Sequence, residues 1–113
     1  MKMDCRQIKH DECVASIADK LREKYPLDTI ETHVEYRWFP FLEHDHKYNP
    51  VAGEVDILRT KQNEDVVFYE FKTTHNNKNF IRAFDQYHRF INVYKPSSSC
   101  RGVYISKDVV RRL

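Results

Sequence analysis

Cysteine is scarce in this chain of 113 residues: Cys5, Cys13 and Cys100 are odd in number, widely spaced and contain no C-x-x-C pair. That argues against a disulfide framework and a structural zinc site, and fits reduced thiols in a cytoplasmic compartment. There is no apolar run of about 18 residues and no apolar segment behind Met1-Lys2-Met3-Asp4-Cys5-Arg6, which disfavours membrane spanning and secretion. A charge surplus is missing too. Lys and Arg number 19 against 17 Asp and Glu, a net charge of +2, so any nucleic-acid surface has to come from local clustering. The six histidines add positive charge only below about pH 6.5. No internal repeat occurs. What the chain does have is 41% apolar and 13% aromatic residues, enough for one compact domain over residues 1–113 with a single core.

From about Gln7 to Lys24, Val14, Ile17, Ala18, Leu21 and Tyr25 recur at helical spacing until Pro26, which predicts an amphipathic helix. Residues from about Thr29 to Trp38 alternate Ile30, Thr32, Val34, Tyr36 and Trp38 with polar partners, a half-exposed strand. A loop punctuated by Pro40, Pro50 and Gly53 follows. Strands over Glu54 to Thr60 and Val66 to Lys72, joined by polar Lys61-Gln62-Asn63-Glu64-Asp65, form a hairpin. A second helix runs from Phe80 to Tyr94 with an expected apolar stripe of Phe80, Phe84, Tyr87, Ile91 and Tyr94, leaving Arg82, Gln86 and Arg89 on the opposite face. Pro96-Ser97-Ser98-Ser99 is a turn, Gly102 to Ser106 a last strand, and Asp108 to Leu113 a final helical turn. Helix, three strands, helix, strand implies a mixed four-stranded α/β sheet with a helix on each side.

Charges interrupt the apolar hairpin at three positions. Asp56 sits between Val55 and Ile57, and the period of two puts Glu70 and Lys72 on one face of their strand. Burying such groups is costly without a partner, a metal ion or a reaction to use them. A metal-dependent phosphodiesterase needs carboxylates for a hard divalent cation and a cation beside the phosphate or the attacking water. The alternative is a cross-strand ion pair on a solvated face, against which stand the apolar neighbours on both faces of the third strand.

Val55-Asp56 and Glu70-Phe71-Lys72, on the second and third strands of an αβββαβ order, resemble the PD-(D/E)XK nuclease superfamily, with Val55 in place of its proline. The resemblance spans roughly residues 7 to 106 and implies the restriction-endonuclease-like fold. It also implies Mg²⁺ or Mn²⁺ as cofactor, DNA as partner, and Asp56, Glu70 and Lys72 as catalytic residues. The metal would be held by Asp56, Glu70, the backbone carbonyl of Phe71 and one ligand from the first helix. For that ligand His10, Asp11 and Glu12 are candidates. Counting from Val14, His10 lies about 40° away and Glu12 about 160° away, which favours His10. Histidine is also similar to the first-helix ligand of the RecB-like branch, whereas junction resolvases use glutamate. Gln86 with Phe90 four residues on resembles the Q-x-x-x-Y motif of the RecB-like branch, with Phe in place of Tyr.

Arg82 and Arg89 are expected at phosphates, and Thr73 or Thr74 either touches a phosphate or ends the strand. Glu54 should share a face with Asp56 as a supporting carboxylate. His44-Asp45-His46 has ligand residue types but lies in a loop without a third ligand, so a solvated loop is the better reading. The expected activity is hydrolysis of DNA phosphodiester bonds. The alternatives are a dimeric Holliday-junction-resolving endonuclease with Trp38, Phe39, Phe41 and Leu42 at its interface, or a catalytically silent nucleic-acid-binding or partner-docking module.

Overall fold

The computed structural model describes residues 5–39, 41–43, 46–94, 99–107 and 109–113, and all of their side chains except those of Cys5 and Arg6. Helix α1 covers Cys5–Lys24, followed by strands β1 (Thr29–Arg37), β2 (Val51–Thr60) and β3 (Val66–Phe71). Helix α2 (Asn77–Tyr94) leads to strands β4 (Cys100–Ser106) and β5 (Val109–Arg112). The strands form one sheet in the order β1-β2-β3-β4-β5. Only β3 and β4 run parallel, and the other neighbours are antiparallel. That one parallel pair is the one joined by a helix, because a parallel return needs a long crossover.

The fold is therefore α/β as the element order implies, with five strands rather than four. The chain end expected to form a helical turn is the edge strand β5. Its β-branched Val109 and Val110 pair with Ser106 and Ile105 of β4, and Leu113 donates its N–H to the Gly102 carbonyl. Asp108 itself lies outside the described residues, as do Pro40, His44, Asp45 and the Pro96–Ser98 part of the expected turn. Among the described residues no helix is long and apolar enough to cross a membrane.

Each sheet face carries its own core. On one face α1 sets Val14 and Ala18 against Ile30, Ile57, Val67, Tyr69 and Phe71. On the other face α2 sets Tyr87 and Phe90 against Tyr36, Val55, Leu58 and Phe68. The residues α2 buries are Ala83, Tyr87 and Phe90. This differs from the expected stripe, since Phe84 is 43% and Tyr94 41% exposed. The helix is rotated toward the Ala83 side because that small residue lets the axis approach the sheet. With the buried direction moved, Gln86 lies about 60° from it rather than opposite, which puts this side chain on the shoulder between core and solvent.

One irregularity matters for the site. The β1–β2 pairing runs from Thr29↔Thr60 to Thr32↔Ile57 and resumes at Val34↔Val55. The skipped position holds His33, with φ of +52°, a conformation uncommon outside glycine and asparagine. Around it the alternation of β2 breaks. Ile57 packs toward α1 and Val55 toward α2, although both have odd numbers, and Asp56 between them turns to α1.

Candidate metal centre

The ladder between β2 and β3 ends at Ile57↔Tyr69, so the next positions, Asp56 and Glu70, stand where the two strands part. Phe71 stays paired with Ile105 of β4. Its N–H, which no longer faces β2 backbone, donates instead to Asp56 Oδ2 at 2.9 Å. The carboxylate thus replaces a ladder bond and is fixed by it. Asp56 is 6% and Glu70 3% exposed, so the two acids are inside the protein rather than on a solvated face.

Helix α1 supplies the third group. His10 Nε2 donates to the Phe71 carbonyl at 3.1 Å and lies 3.4 Å from Asp56 Oδ2. Its other nitrogen is 3.3 Å from Asp11 Oδ1. Of the three candidates on this turn, His10 faces the strands, Asp11 flanks it and Glu12 is exposed. Lys72, just past the end of β3, holds its Nζ 3.7 Å from Glu70 Oε1. Glu70 Oε2 is buried and has no hydrogen-bond partner among the described residues.

These neighbours shift one another's protonation. The hydrogen bond to Asp56 leads in raising the His10 pKa to about 9, against the opposing effect of burial. Burial first, and then the charge of Asp56, push the Glu70 carboxyl far above the ordinary carboxylate range. Burial also acts to raise Asp56, but His10, the Glu70 carboxyl and the Phe71 amide outweigh it and hold Asp56 below its ordinary value. Two carboxyls so close cannot both ionise freely, and one keeps its proton until a cation arrives.

The carboxylate and carbonyl oxygens are the donor types that a hard divalent ion takes, with an imidazole nitrogen beside them. Octahedral Mg²⁺ or Mn²⁺ with bonds of about 2.1 Å separates adjacent ligand atoms by about 3.0 Å. His10 Nε2 stands 3.1 Å from Phe71 O and 3.4 Å from Asp56 Oδ2, near that spacing. Among the described residues no group of three or more His, Cys, Asp or Glu side chains is already arranged as a metal cluster. In the candidate set His10, Asp56 and the Phe71 carbonyl stand together, and the third such side chain, Glu70, lies beside them with its Oε2 unpartnered among the described residues.

On the α2 side, a cavity of ≈ 440 Å³ brings Lys72 together with Arg82, Asp85, Gln86 and Arg89. Gln86 Oε1 is buried there without a partner among the described residues, while Arg89 Nη1 donates to the Ala52 carbonyl at 3.4 Å. Phe90 is fully buried among the rings of Tyr36, Phe68 and Tyr94, where a phenol would have no role at the cavity. Thr73 and Thr74 lie elsewhere, with Lys9, Asn76 and Asn79. In the loop before β2, His46 Nδ1 accepts from the Tyr48 N–H, an ordinary turn contact.

Sequence reasoning missed two members of this neighbourhood. His33 Nδ1 is 3.0 Å from Glu54 Oε1, and its Nε2 is 3.9 Å from Asp11 Oδ1, so His33 links the supporting carboxylate of β2 to the turn that carries His10. Nothing in a strand-like alternation marks its positive φ. Asp85 lines the same cavity as the two arginines, and its spacing of three residues from Arg82 and four from Arg89 was the signal available.

No family model and no curated protein matches the chain. Among solved structures it is similar to the crystal structure of SSO0001, with 19% identity and a TM-score of 0.59. The match covers 95% of this chain and 49% of that one. The chain thus spans about half the length of that protein and shares its fold.

Proposed function

We propose that the chain is a divalent-metal-dependent deoxyribonuclease of the PD-(D/E)XK type, with Asp56, Glu70 and Lys72 as its catalytic residues. The observation that carries this reading is the placement of His10 Nε2 3.1 Å from the Phe71 carbonyl and 3.4 Å from Asp56 Oδ2, beside a buried Glu70 oxygen unpartnered among the described residues. His10, Asp56, Glu70 and Phe71 O would hold Mg²⁺ or Mn²⁺. A divalent ion there supplies a bound water of lowered pKa and a Lewis acid for a phosphoryl oxygen.

The chain's own groups do the rest. Lys72, anchored 3.7 Å from Glu70, brings an ammonium to the phosphate as negative charge accumulates on it. Arg82 and Arg89 give the neighbouring cavity two further phosphate partners, and Gln86 offers a fixed acceptor between them. Asp11 holds the outer nitrogen of His10 and so orients the imidazole. Glu70 and His10 carry protons in the resting site and release them when a cation takes their place.

The test is incubation with Mn²⁺ and a panel of linear duplex, single-stranded, circular and branched DNA. Cleavage that EDTA stops is the expected result, and no cleavage of any substrate by metal-loaded protein would overturn the assignment. A junction-resolving dimer is the second reading. It is favoured by the apolar loop edge where Trp38 is 46%, Phe39 41% and Phe41 81% exposed, larger than isolated surface apolar groups require. Sedimentation of the purified chain decides it, a dimer with preference for branched DNA being the expected outcome of that reading.

A further inference from the structure

A groove on the α1 face, away from the cavity around Gln86, shares only Phe71 with the candidate metal centre. It has a volume of ≈ 440 Å³ and runs between α1 and the ends of β3 and β4. Its floor is apolar, formed by Ile17, Phe71 and Ile105, and three cations, Lys9, Lys20 and Lys107, line it. Ser106 also lines it. That residue is 2% exposed, and its hydroxyl is buried without a partner among the described residues. A polar track continues from this groove. A second hollow of ≈ 540 Å³ shares Lys9 and Thr73 with it and adds Thr74, Asn76 and Asn79. Thr73 adjoins Lys72 in sequence, so the track leads toward the candidate metal centre.

The chemistry of the two hollows differs in a way that fits one ligand. An apolar floor beneath lysines and an unused hydroxyl suits a planar heterocycle with a phosphate beside it. The hydroxyl- and amide-lined track suits a sugar-phosphate backbone. A base inside a duplex has both faces covered by its neighbours and cannot lie on the half-buried Ile17 and Ile105. An unpaired base can. Lys9, which lines both hollows, supplies a cation for the phosphate that joins them.

We infer that this groove binds an unpaired nucleotide of the DNA strand whose phosphate lies at the metal centre, so that the substrate is single-stranded or frayed at the point of cleavage. This rests on the nuclease reading for the identity of the neighbouring phosphate. Binding by the groove itself can be measured without any cleavage.

Fluorescence polarisation of a labelled oligo-dT in EDTA, across a salt series, measures that binding directly. The triple variant Lys9→Ser/Lys20→Ser/Lys107→Ser alters only exposed side chains. It is expected to weaken binding at least tenfold and to make the log-log salt slope shallower by about 1.4, at about 0.7 for each of the two phosphates that flank one nucleotide. Ser16→Glu, which adds an anion beside the same groove, is expected to weaken binding in the same assay. A blunt duplex of equal length is expected to bind more weakly than oligo-dT and to lose little in the triple variant. Unchanged affinity and slope in both variants would overturn the inference, as would a duplex that binds better than the single strand. Wild-type hydrolysis of bis(p-nitrophenyl) phosphate with Mn²⁺ reports separately on the metal centre. Its absence would count against the nuclease reading and leave the groove measurement standing.

Discussion

At the scale of the residue, the site is a set of groups that hold one another's protons. Asp56→Asn keeps an acceptor for the Phe71 amide and removes the charge, so the expected outcome is a folded protein without metal-dependent cleavage, checked by circular dichroism and a DNA assay. Lys72→Ala should lower kcat by a factor of about 100 or more, the usual effect of removing one charge-stabilising group. The raised His10 pKa also sets a pH dependence. Its folded value of about 9 lies above the ordinary 6.5, so its contribution to stability is complete below pH 6.5 and fades as pH rises through 9. Glu70, also raised, acts in the same direction from its ordinary value upward. In EDTA the melting temperature should therefore fall between pH 6.5 and 9, and His10→Asn should flatten that fall. Asp56 and the Glu70/Lys72 pair were legible in the sequence because charge inside an apolar strand needs a reason. His33 was not, since its role depends on a backbone angle of +52° and on contacts from two other elements.

At the scale of the element, local periodicity located both helices and the three strands of the meander. It failed where tertiary packing chooses among similar faces. Helix α2 has large apolar residues on most of its circumference, and the small Ala83, not the largest rings, decides which side meets the sheet. The same rotation seats Phe90 in the core, so Phe90→Tyr would bury a hydroxyl with no partner in sight. It should cost about 1–3 kcal/mol by chemical denaturation and leave Mn²⁺ binding unchanged. The edge strand β5 was unreadable for a different reason. Four residues carry little period, and their partner β4 is what makes them a strand. Gly102 on β4 is a packing requirement, because a Cβ there would stand 2.8 Å from the Tyr87 ring and 2.9 Å from Leu113 Cβ. Gly102→Ala should destabilise by about 1–3 kcal/mol through overpacking, read from the same denaturation curves.

At the scale of the whole molecule, two helices on opposite faces of one sheet bring three separate stretches of chain to the point where β2 and β3 part. The net charge of +2 does not announce a nucleic-acid surface. Cations are gathered locally instead, Lys72, Arg82 and Arg89 in one hollow and Lys9, Lys20 and Lys107 in another. Sequence could place the Arg82–Gln86–Arg89 group, which lies on one helix. It could not place the lysines, which come from α1 and the end of β4. His10, Asp56, Glu70 and the Phe71 carbonyl are proposed to hold one divalent cation. Titration calorimetry of Mn²⁺ into wild-type protein and Asp56→Asn tests it most directly. The prediction is one ion per wild-type chain, bound more tightly as pH rises and protons leave His10 and Glu70, and no binding to the variant. Equal binding by both proteins, or none by the wild type, would contradict it.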